Sequence, residues 1–381
     1  MKIVFISNFV SHHQQPFCEE LEKKNSIDFY FISLAELNNE KQKLGWKVNK
    51  NQFEIKASQS KKNLENSIRV IQDSDIIILS QQYISEWIDV CLKNKNAIIF
   101  EYGERLFKGG KYKVFSPKGI IYRIKHYYLK NNKRRFILCS SAYTASDLAI
   151  CGLFINKCYK WGYFPKTYTY DIDKIIKNKK KNRILWVGRL IKWKHPEIAI
   201  ILAKKLKENN ISFVLEIIGD GVERKNLINL VKKYNLDGYV KFLGTMSPKN
   251  VREEMLSAGI FLATSDSNEG WGAVINEAMN SGCAVVASKS MGSVPFLIKN
   301  NYNGLSYKYR KNYLPYKEIV NLLVDYQRQE IFGKNAYITI KNEWNEEIAA
   351  ERFITLSKGL LKKQNIKFNN GPCSNAKNLI K

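Results

Sequence analysis

Short apolar runs recur along the chain, and each is followed by polar turn residues and then by a helical or irregular stretch. Ten of these runs predict β-strands: Lys2–Ile6, Phe29–Ser33, Ile76–Ser80, Ala97–Glu101, Phe136–Ser140, Ile184–Gly188, Leu215–Gly219, Val240–Leu243, Ile260–Ala263 and Cys283–Ser288. Because parallel strands are joined by crossover helices, this alternation predicts an α/β protein built on parallel sheets. In such sheets the carboxyl ends of the strands border the ligand cleft.

The length of 381 residues is typical of two domains of ordinary size. A polar and strongly charged stretch, DKIIKNKKKNR, ends at Arg183 and has the composition of a linker. We therefore predict an N-terminal domain over residues 1–168, a linker over 169–183, a C-terminal domain over 184–345, and a terminal helix and basic tail over 346–381. The last twenty residues are expected to fray.

Composition indicates a globular chain without a membrane span. The mean hydropathy is −0.34, and no run approaches the roughly 18 apolar residues that a transmembrane helix needs. The N-terminal run MKIVFISNF is too short for a secretory signal, so we expect a cytoplasmic protein. Its seven cysteines are scattered without a C-x-x-C motif, which argues against a disulfide framework or a zinc site.

The stretch Ser265–Cys283, SDSNEGWGAVINEAMNSGC, carries two glutamates where a polar loop passes into a helical pattern. Glu269 lies in the loop before the helix, the helix is expected to begin near Gly272, and Glu277 falls in its second turn. On one helix the two carboxylates would lie about 12 Å apart along the axis, too far for an acid–base pair. The free N–H groups of a helix start favour phosphate. This spacing suits a nucleotide sugar, with a hydroxyl at each end and a diphosphate between; the alternative is two solvated surface glutamates.

In the setting NEGWGAVINEAMNSGCAVVAS, this E-x7-E pattern resembles the signature of the retaining GT-B glycosyltransferases of family four, the glycosyl transferases group 1. The resemblance is close over residues 183–305 and weaker over the N-terminal half. It implies two Rossmann-like domains with parallel sheets facing a central cleft, and a C-terminal helix that crosses back to the first domain. It also implies that Glu269 contacts the donor sugar and that Glu277 holds the ribose. The donor site would further include Gly270, Trp271, Gly272, Ala273 and Val274.

Two other motifs occur in the order found in that family. Arg189 ends a predicted strand and Lys194 follows five residues later, similar to the family's G-R-L-x-x-x-K pattern, in which both cations hold the donor diphosphate. The guanidinium fork and the ammonium point charge both suit that ligand. His195 stands where the family usually has glycine. The turn containing Gly219 and Asp220 resembles the family's G-D-G turn beside the nucleotide.

Six N-terminal residues follow predicted strands and are candidates for contact with the acceptor or the cleft: His12, His13, Gln14, Glu101, Glu104 and Arg105. Many members of the family have a glycine pair in the loop that contains the first three. For that loop the alternative is a capping turn, and for the last three it is a structural ion pair. No G-x-G-x-x-G motif is present, so a dinucleotide cofactor is not supported.

The net charge of +27 indicates an anionic partner, although compositional bias toward Lys, Asn and Ile explains part of it. No Asp or Glu occurs from Arg105 to Ser146, and eleven Lys or Arg alternate with aromatic residues up to Arg135. Such a segment is typical of a contact with an anionic membrane surface. Nucleic-acid binding has a similar composition, and a solvated basic face is the simplest alternative. Membrane docking is favoured by analogy with enzymes that glycosylate lipid-linked acceptors.

A metal-binding Asp-x-Asp is expected directly after a strand. Asp73-Ser-Asp75 precedes a strand and Asp171-Ile-Asp173 lies in the predicted linker, so neither fits and we predict no metal. Together these features predict a cytoplasmic, peripheral membrane hexosyltransferase. It would transfer sugar from a nucleotide donor to a lipid-linked oligosaccharide or a cell-surface polysaccharide such as lipopolysaccharide or capsule. The alternatives are a nucleotide-sugar epimerase or phosphorylase of the same fold, and a nucleic-acid-binding protein.

Overall fold

The computed structural model describes residues 1–36, 52–309, 313 and 315–379. Contacts divide the chain into two units, of which the first contains Met1–Lys166 together with Trp344–Lys381 and the second contains Thr167–Glu343. Each unit has its own parallel sheet and its own apolar core. The C-terminal segment therefore returns to the first unit.

The described part of the first unit forms a seven-stranded sheet with the order β3-β2-β1-β4-β5-β6-β7. The strands are β1 Lys2–Ser7, β2 Asp28–Ser33, β3 Glu54–Lys56, β4 Ile76–Ser80, β5 Ile98–Gly103, β6 Arg135–Cys139 and β7 Cys158–Lys160. All neighbouring pairs are parallel. The sequence of β4 is IIILS and its first four residues are buried, as expected for a strand that helices cover on both faces.

Helices connect these strands at Gln15–Glu22, Lys61–Gln72, Ile84–Lys93, Pro117–Arg123 and Thr144–Ile150. Short 3₁₀ helices occur at Ala57–Gln59, Gln81–Tyr83 and Lys111–Phe115, and a π-helical turn at Ile124–Tyr128. The C-terminal helix Glu346–Leu361 packs against the first unit through the buried Phe353. The Phe353 ring lies 5.9 Å from that of Phe17 and 5.1 Å from that of Phe100, centroid to centroid.

The predicted fraying of the tail is wrong for the described residues up to 379; Ile380 and Lys381 lie outside them. The Cys373 N–H donates to the Lys160 carbonyl at 2.8 Å, and the Lys160 N–H donates to the Ser374 carbonyl at 2.7 Å. The Ala376 N–H donates to the Cys158 carbonyl at 2.9 Å. Because β7 is the edge strand, its outward backbone groups need partners, and the tail supplies them.

The described part of the second unit forms a six-stranded parallel sheet with the order β10-β9-β8-β11-β12-β13. The strands are β8 Lys180–Val187, β9 Val214–Ile218, β10 Val240–Gly244, β11 Ala258–Ala263, β12 Ala284–Ser288 and β13 Gly304–Tyr307. The helices are Ile172–Asn178, Pro196–Glu208, Arg224–Lys233, Pro248–Ser257, Val274–Asn280, Val294–Leu297, Tyr316–Val324 and Tyr326–Asn342. Lys192–Lys194 forms a 3₁₀ turn.

The segment 169–183, for which the charged composition predicts a linker, is ordered structure of the second unit. The Asp171 side chain caps the helix Ile172–Asn178 by accepting from the Lys174 N–H at 3.2 Å, and Ile176 is buried. The residues that follow begin β8, which pairs with β9 and β11. Capping and the pairing of a central strand outweigh the unfavourable charge density of this segment.

Candidate active site

The candidate site lies where the strand order of the second unit changes direction. From β8 the chain proceeds through β9 to β10 on one side, and then through β11, β12 and β13 on the other. A crevice outside the carboxyl ends of the strands is the usual ligand site at such a switch point. The loop after β8 contains Arg189 and Lys194, and the loop after β11 contains Glu269. The topology therefore brings together two loops that are about eighty residues apart in sequence.

Lys194 and Glu269 form an ion pair, and only 15% of each side chain is exposed. Backbone contacts keep the two loops in register: the Asp266 N–H donates to the Trp193 carbonyl at 3.0 Å. The Thr264 hydroxyl donates to the Lys194 carbonyl at 2.7 Å. Because the pair is mostly shielded from water, it is screened by salt less than a surface pair. The structure thus joins the cation and the acid that the sequence motifs single out.

Arg189 lies in the loop that contains Lys194 and is exposed. Its guanidinium carbon lies 5.7 Å from the ring centroid of Trp193, which is itself exposed. A guanidinium over an aromatic face keeps its hydrogen-bond donors free to turn toward a ligand. Arg189 is therefore accessible to an anion arriving from solvent, whereas Lys194 is already neutralised by Glu269.

Glycines allow the loops after β8 and β9 to approach closely. Gly219 has φ of +133°, and a Cβ there would lie 1.9 Å from the Gly188 carbonyl oxygen. The Leu190 N–H donates to the Asp220 carbonyl at 2.8 Å. The Asp220 carboxylate accepts from the Gly221 N–H at 2.7 Å and contacts Arg224 at 3.0 Å. Asp220 therefore holds the turn in place with its carboxylate.

The loop between Glu269 and the helix Val274–Asn280 is buried up to Ala273. Gly272 has φ of +84°, and a Cβ there would lie 2.5 Å from the Met291 methyl carbon, so this position requires glycine. Trp271 is fully buried, and its indole N–H donates to the Asn276 side chain at 2.8 Å. Trp271 therefore offers a ligand only its backbone. Gly270 and Val274 flank this segment, Gly270 buried and Val274 half-buried.

Glu277 lies in the first turn of its helix, because the helix begins at Val274 instead of near Gly272. Burial raises the pKa of the Glu277 carboxyl, and the nearby Arg252 guanidinium partly opposes that shift. The side chain is half-buried. A carboxylate in such surroundings is a stronger hydrogen-bond acceptor than one in water, which suits the recognition of ligand hydroxyls.

His195 forms a charged cluster that the sequence does not reveal. Its backbone has φ of +50° and ψ of +51°, the left-handed conformation that glycine adopts most readily. One ring nitrogen lies 2.7 Å from Glu197, and the other lies 3.2 Å from Asp266 and 3.0 Å from the Tyr309 hydroxyl. Burial alone would lower the pKa of His195, but hydrogen bonds to Asp266 and Glu197 raise it to about 9. His195 is therefore a cation that ties the loop after β8 to Asp266.

In the first unit, His12 and His13 lie in the turn after β1, with ring centroids 3.7 Å apart. The His13 ring stacks on Tyr163 at 5.7 Å. Burial lowers the pKa of His12 to about 4, and burial with the neighbouring His12 lowers that of His13 to about 3. Both imidazoles are neutral near pH 7. The Gln14 side chain accepts from the Ser11 hydroxyl at 3.1 Å and holds this turn.

The three candidates near the end of β5 have different surroundings. Glu104 accepts from the Tyr163 hydroxyl at 2.8 Å, pairs with Lys108, and so lies beside the His13–Tyr163 stack. Arg105 is largely buried in a salt bridge with Asp147 at 3.3 Å. Its role as a free cleft residue is not supported, because Asp147 also accepts from the Phe107 N–H and fixes the loop.

Glu101 is not a cleft residue. β5 continues to Gly103, so Glu101 lies within the strand, where it is fully buried and paired with Arg135. The Arg135 guanidinium in turn lies beside the rings of Tyr127 and Phe154, at 5.5 and 5.4 Å from their centroids. Burial raises the pKa of Glu101, and Arg135 opposes that shift. The pair is a structural contact inside the first unit.

Within the described ranges, no three His, Cys, Asp or Glu side chains are grouped as a metal site requires. Both Asp-x-Asp triplets have structural contacts. Asp75 accepts from the Lys2 N–H at 2.8 Å, Asp171 caps a helix, and Asp173 pairs with Lys334 at 2.7 Å.

The architecture matches that of solved GT-B structures. HepE from Anabaena, crystallised with UDP, superposes with a TM-score of 0.65 at 18% sequence identity, over 95% of this chain and 99% of that one. At this identity the match establishes the fold: two Rossmann-like units with parallel sheets, as the sequence predicts.

Sequence comparison finds a family model that matches the unit carrying the site. Residues 169–339 match the family described as Glycosyl transferases group 1. An uncharacterized glycosyltransferase of Methanocaldococcus jannaschii, MJ1069, is 29% identical over 263 residues, covering 66% of this chain and 60% of its own length. The amylovoran biosynthesis glycosyltransferase AmsD of Erwinia amylovora is 28% identical over 159 residues, covering 42% and 43%. The chain thus spans less than two thirds of either relative. The second unit is thus similar to the group 1 glycosyltransferases.

Proposed function

We propose that the protein is a retaining glycosyltransferase that moves a hexosyl group from a nucleotide-diphosphate sugar to a glycan acceptor. The observation that carries this proposal is the Lys194–Glu269 ion pair at the switch point of the second sheet. The pair combines a cation for the donor phosphate with an acid for the sugar hydroxyls. The family match covers this unit, and HepE in complex with UDP supports a nucleotide donor.

Lys194 and Arg189 would stabilise the diphosphate as it leaves. Groups aimed at developing charge contribute about 2.7–4 kcal/mol each to lowering a barrier. The helix Val274–Asn280 has only seven residues, so its dipole adds at most about 0.3–1 kcal/mol. The two cations should therefore dominate. Because Glu269 neutralises Lys194, the lysine is oriented before the donor arrives.

The two glutamates would bind opposite ends of the donor. Glu269, held beside Lys194, accepts hydrogen bonds from sugar hydroxyls, and Glu277 accepts them from the ribose. In the transfer, the bond from the anomeric carbon to the diphosphate oxygen breaks and a bond to the acceptor oxygen forms on the same face. The acceptor proton passes to the departing phosphate oxygen. We propose that this reaction needs no metal, since the cations supply the charge that a metal would supply.

The decisive experiment measures transfer with Lys194→Ala and with Lys192→Ala as a matched control. Lys192 is an exposed lysine of the same 3₁₀ turn. We expect Lys194→Ala to lower kcat about 10²–10³-fold and Lys192→Ala to change it less than about threefold. Product analysis with and without acceptor separates transfer from epimerisation or phosphorolysis. Equal rates for wild type and Lys194→Ala would refute the site.

The acceptor is proposed to be a growing, lipid-linked oligosaccharide or surface polysaccharide. A relative named for amylovoran biosynthesis supports a polysaccharide role, with lipopolysaccharide and capsule as the candidate products. Neutral His13 and the adjacent Tyr163–Glu104 hydrogen bond offer polar groups for acceptor hydroxyls in the first unit. Supplying lipid-linked and free glycans to the purified enzyme would distinguish the two kinds of acceptor.

We also propose a peripheral position on the inner face of the cytoplasmic membrane. No helix in the described chain has the length and apolar character to cross a bilayer. Seven large apolar side chains between residues 112 and 129 are nevertheless exposed, here called the apolar–basic patch: Tyr112, Phe115, Ile120, Ile121, Ile124, Tyr128 and Leu129. Four exposed lysines occur among them, at 111, 113, 118 and 125. Each lysine near an anionic surface contributes about 1 kcal/mol, and each fully buried large apolar side chain about 1.5–3 kcal/mol.

Sedimentation with vesicles tests this membrane contact. We expect binding to vesicles that contain phosphatidylglycerol, weaker binding to pure phosphatidylcholine, and loss of binding as salt rises. Replacing Ile121 and Leu129 by Ser should release the protein without changing transfer to a soluble acceptor. At equal salt, we expect the protein to bind these vesicles more tightly than it binds RNA or DNA, whose binding is measured by retention on filters. Preferential retention of nucleic acid would overturn this assignment.

A further inference from the structure

A cavity of about 640 Å³ opens within the first unit. It lies among the loop after β5, the 3₁₀ helix Lys111–Phe115 and the helix Pro117–Arg123. Six of the ten residues that line it are apolar or aromatic: Leu106, Phe107, Tyr112, Phe115, Tyr122 and Tyr127. Its size is that of a site for a small molecule or a lipid chain.

The floor of the cavity is buried and its rim is exposed. Phe107 and Tyr127 are almost fully buried, whereas 71% of Tyr112 and 79% of Phe115 is exposed. Contacts hold the floor in place: the Arg123 guanidinium lies 5.9 Å from the Phe107 ring centroid. Tyr122 meets Tyr127 edge to face at 6.1 Å. The cavity is therefore formed without a ligand, and the two rim aromatics belong to the apolar–basic patch.

The charges around the cavity are of one sign. Lys113 and Arg123 line it, and no Asp or Glu is among the ten described lining residues. The nearby carboxylates are already neutralised: Asp147 pairs with Arg105, and Glu104 pairs with Lys108. An occupant should therefore be apolar along its length and anionic at the end that remains near the mouth.

We propose that this cavity holds one hydrocarbon chain of an anionic membrane lipid, with the lipid phosphate near Lys113. The apolar floor excludes a nucleotide or a glycan as the preferred ligand, because their hydroxyls would lose hydrogen bonds to water. A lipid satisfies both the buried aromatic floor and the exposed Lys113 at the rim. The proposal rests on the membrane contact proposed above and is independent of the transfer chemistry of the second unit.

Binding of hexyl, octyl and decyl phosphate below their micelle concentrations tests the proposal on the full chain by calorimetry. Each added methylene should tighten binding about fourfold, equivalent to about 0.8 kcal/mol, until the cavity is full. Gly119→Leu, which places a side chain in the cavity at a helical glycine, should remove this dependence on chain length. Lys113→Gln should weaken all three ligands by a similar factor and keep the dependence.

Two measurements keep the outcomes separate. If Gly119→Leu unfolds at the same temperature as the wild type, any loss of binding comes from the filled cavity and not from misfolding. Lys113→Gln, at an exposed position, is the second variant if Gly119→Leu misfolds. Affinity that does not depend on chain length, or that Gly119→Leu leaves unchanged, would overturn the lipid site. Binding of sugar nucleotides, measured in parallel, should be the same in the wild type and in both variants. If none of the three proteins binds a sugar nucleotide, that result counts against the transferase proposal and not against the lipid site.

Discussion

Replacing His195 by glutamine should destabilise the protein in a strongly pH-dependent way. The folded pKa of His195 is about 9 and its ordinary value is 6.5. Protonated His195 therefore stabilises the fold fully below about pH 6.5, and this contribution is lost as the pH rises through about 9. From these two values the contribution is about 2.5 kcal/mol at pH 7 and nearly zero at pH 10.

The other groups in the cluster do not obscure this dependence. Burial alone would raise the pKa of Asp266, but hydrogen bonds, including the one to His195, lower it. Burial raises the pKa of the Tyr309 hydroxyl above its usual value of 10.0. The Asp266 carboxylate is thus ionised and the Tyr309 hydroxyl is neutral from pH 7 to 9. For a unit of this size, 1 kcal/mol changes Tm by about 2–4 °C. His195→Gln should therefore lower Tm by about 5–10 °C at pH 7 and very little at pH 10.

His126→Gln is the matched control in a thermal-unfolding series from pH 7 to pH 10. Burial lowers the pKa of His126, so its imidazole stays neutral over this range and its replacement should give a constant change in Tm. A His195→Gln deficit of equal size at pH 7 and pH 10 would refute the charged cluster. The same result would assign the contribution of His195 to side-chain contacts that do not depend on its charge.

Other changes probe separate parts of the structure. Glu277→Ala should lower turnover at least tenfold while leaving Tm within a few degrees, and wild-type kinetics would remove Glu277 from the donor site. Glu101→Gln should cost about 3–5 kcal/mol of stability because Arg135 loses its buried partner, yet the folded fraction should keep its turnover. Deleting residues 371–379 should lower Tm, since β7 loses its backbone partners; an unchanged Tm would mean the tail contributes nothing. Excess EDTA should leave transfer intact, and loss of transfer restored by Mn²⁺ would contradict the metal-free reaction.

Much of the fold could be predicted because buried parallel strands read as continuous apolar runs. Ile76–Ser80 has the same bounds in sequence and structure, and most other runs agree within a few residues. Three strands could not be predicted in this way, because each has only three or four residues and is fixed by pairing with another strand: β3, β7 and β13. The order of the tail could not be predicted for the same reason, because its hydrogen-bond partners lie about two hundred residues earlier in the chain.

The site could be predicted in outline but not in its contacts. Strand ends place the loops of Lys194 and Glu269 at one edge of the sheet, and the ion pair follows from that convergence. Glu101 shows the limit: its position at the end of a predicted strand makes it a cleft candidate, but it forms a buried ion pair with Arg135, 34 residues later. Two of the three partners of His195, Asp266 and Tyr309, lie 71 and 114 residues away, so the neighbouring Glu197 alone does not predict a charged cluster.

The most direct test of the central claim is thermal stabilisation by nucleoside diphosphates. The claim is that the loops of Lys194 and Glu269 hold the diphosphate of a sugar nucleotide. One of UDP, GDP or ADP at about 100 times its Kd should stabilise the protein by about 2.7 kcal/mol, and the corresponding nucleoside should not. Lys194→Ala should lose this stabilisation and Lys192→Ala should keep it. No shift with any nucleoside diphosphate, or an equal shift in Lys194→Ala, would contradict the account.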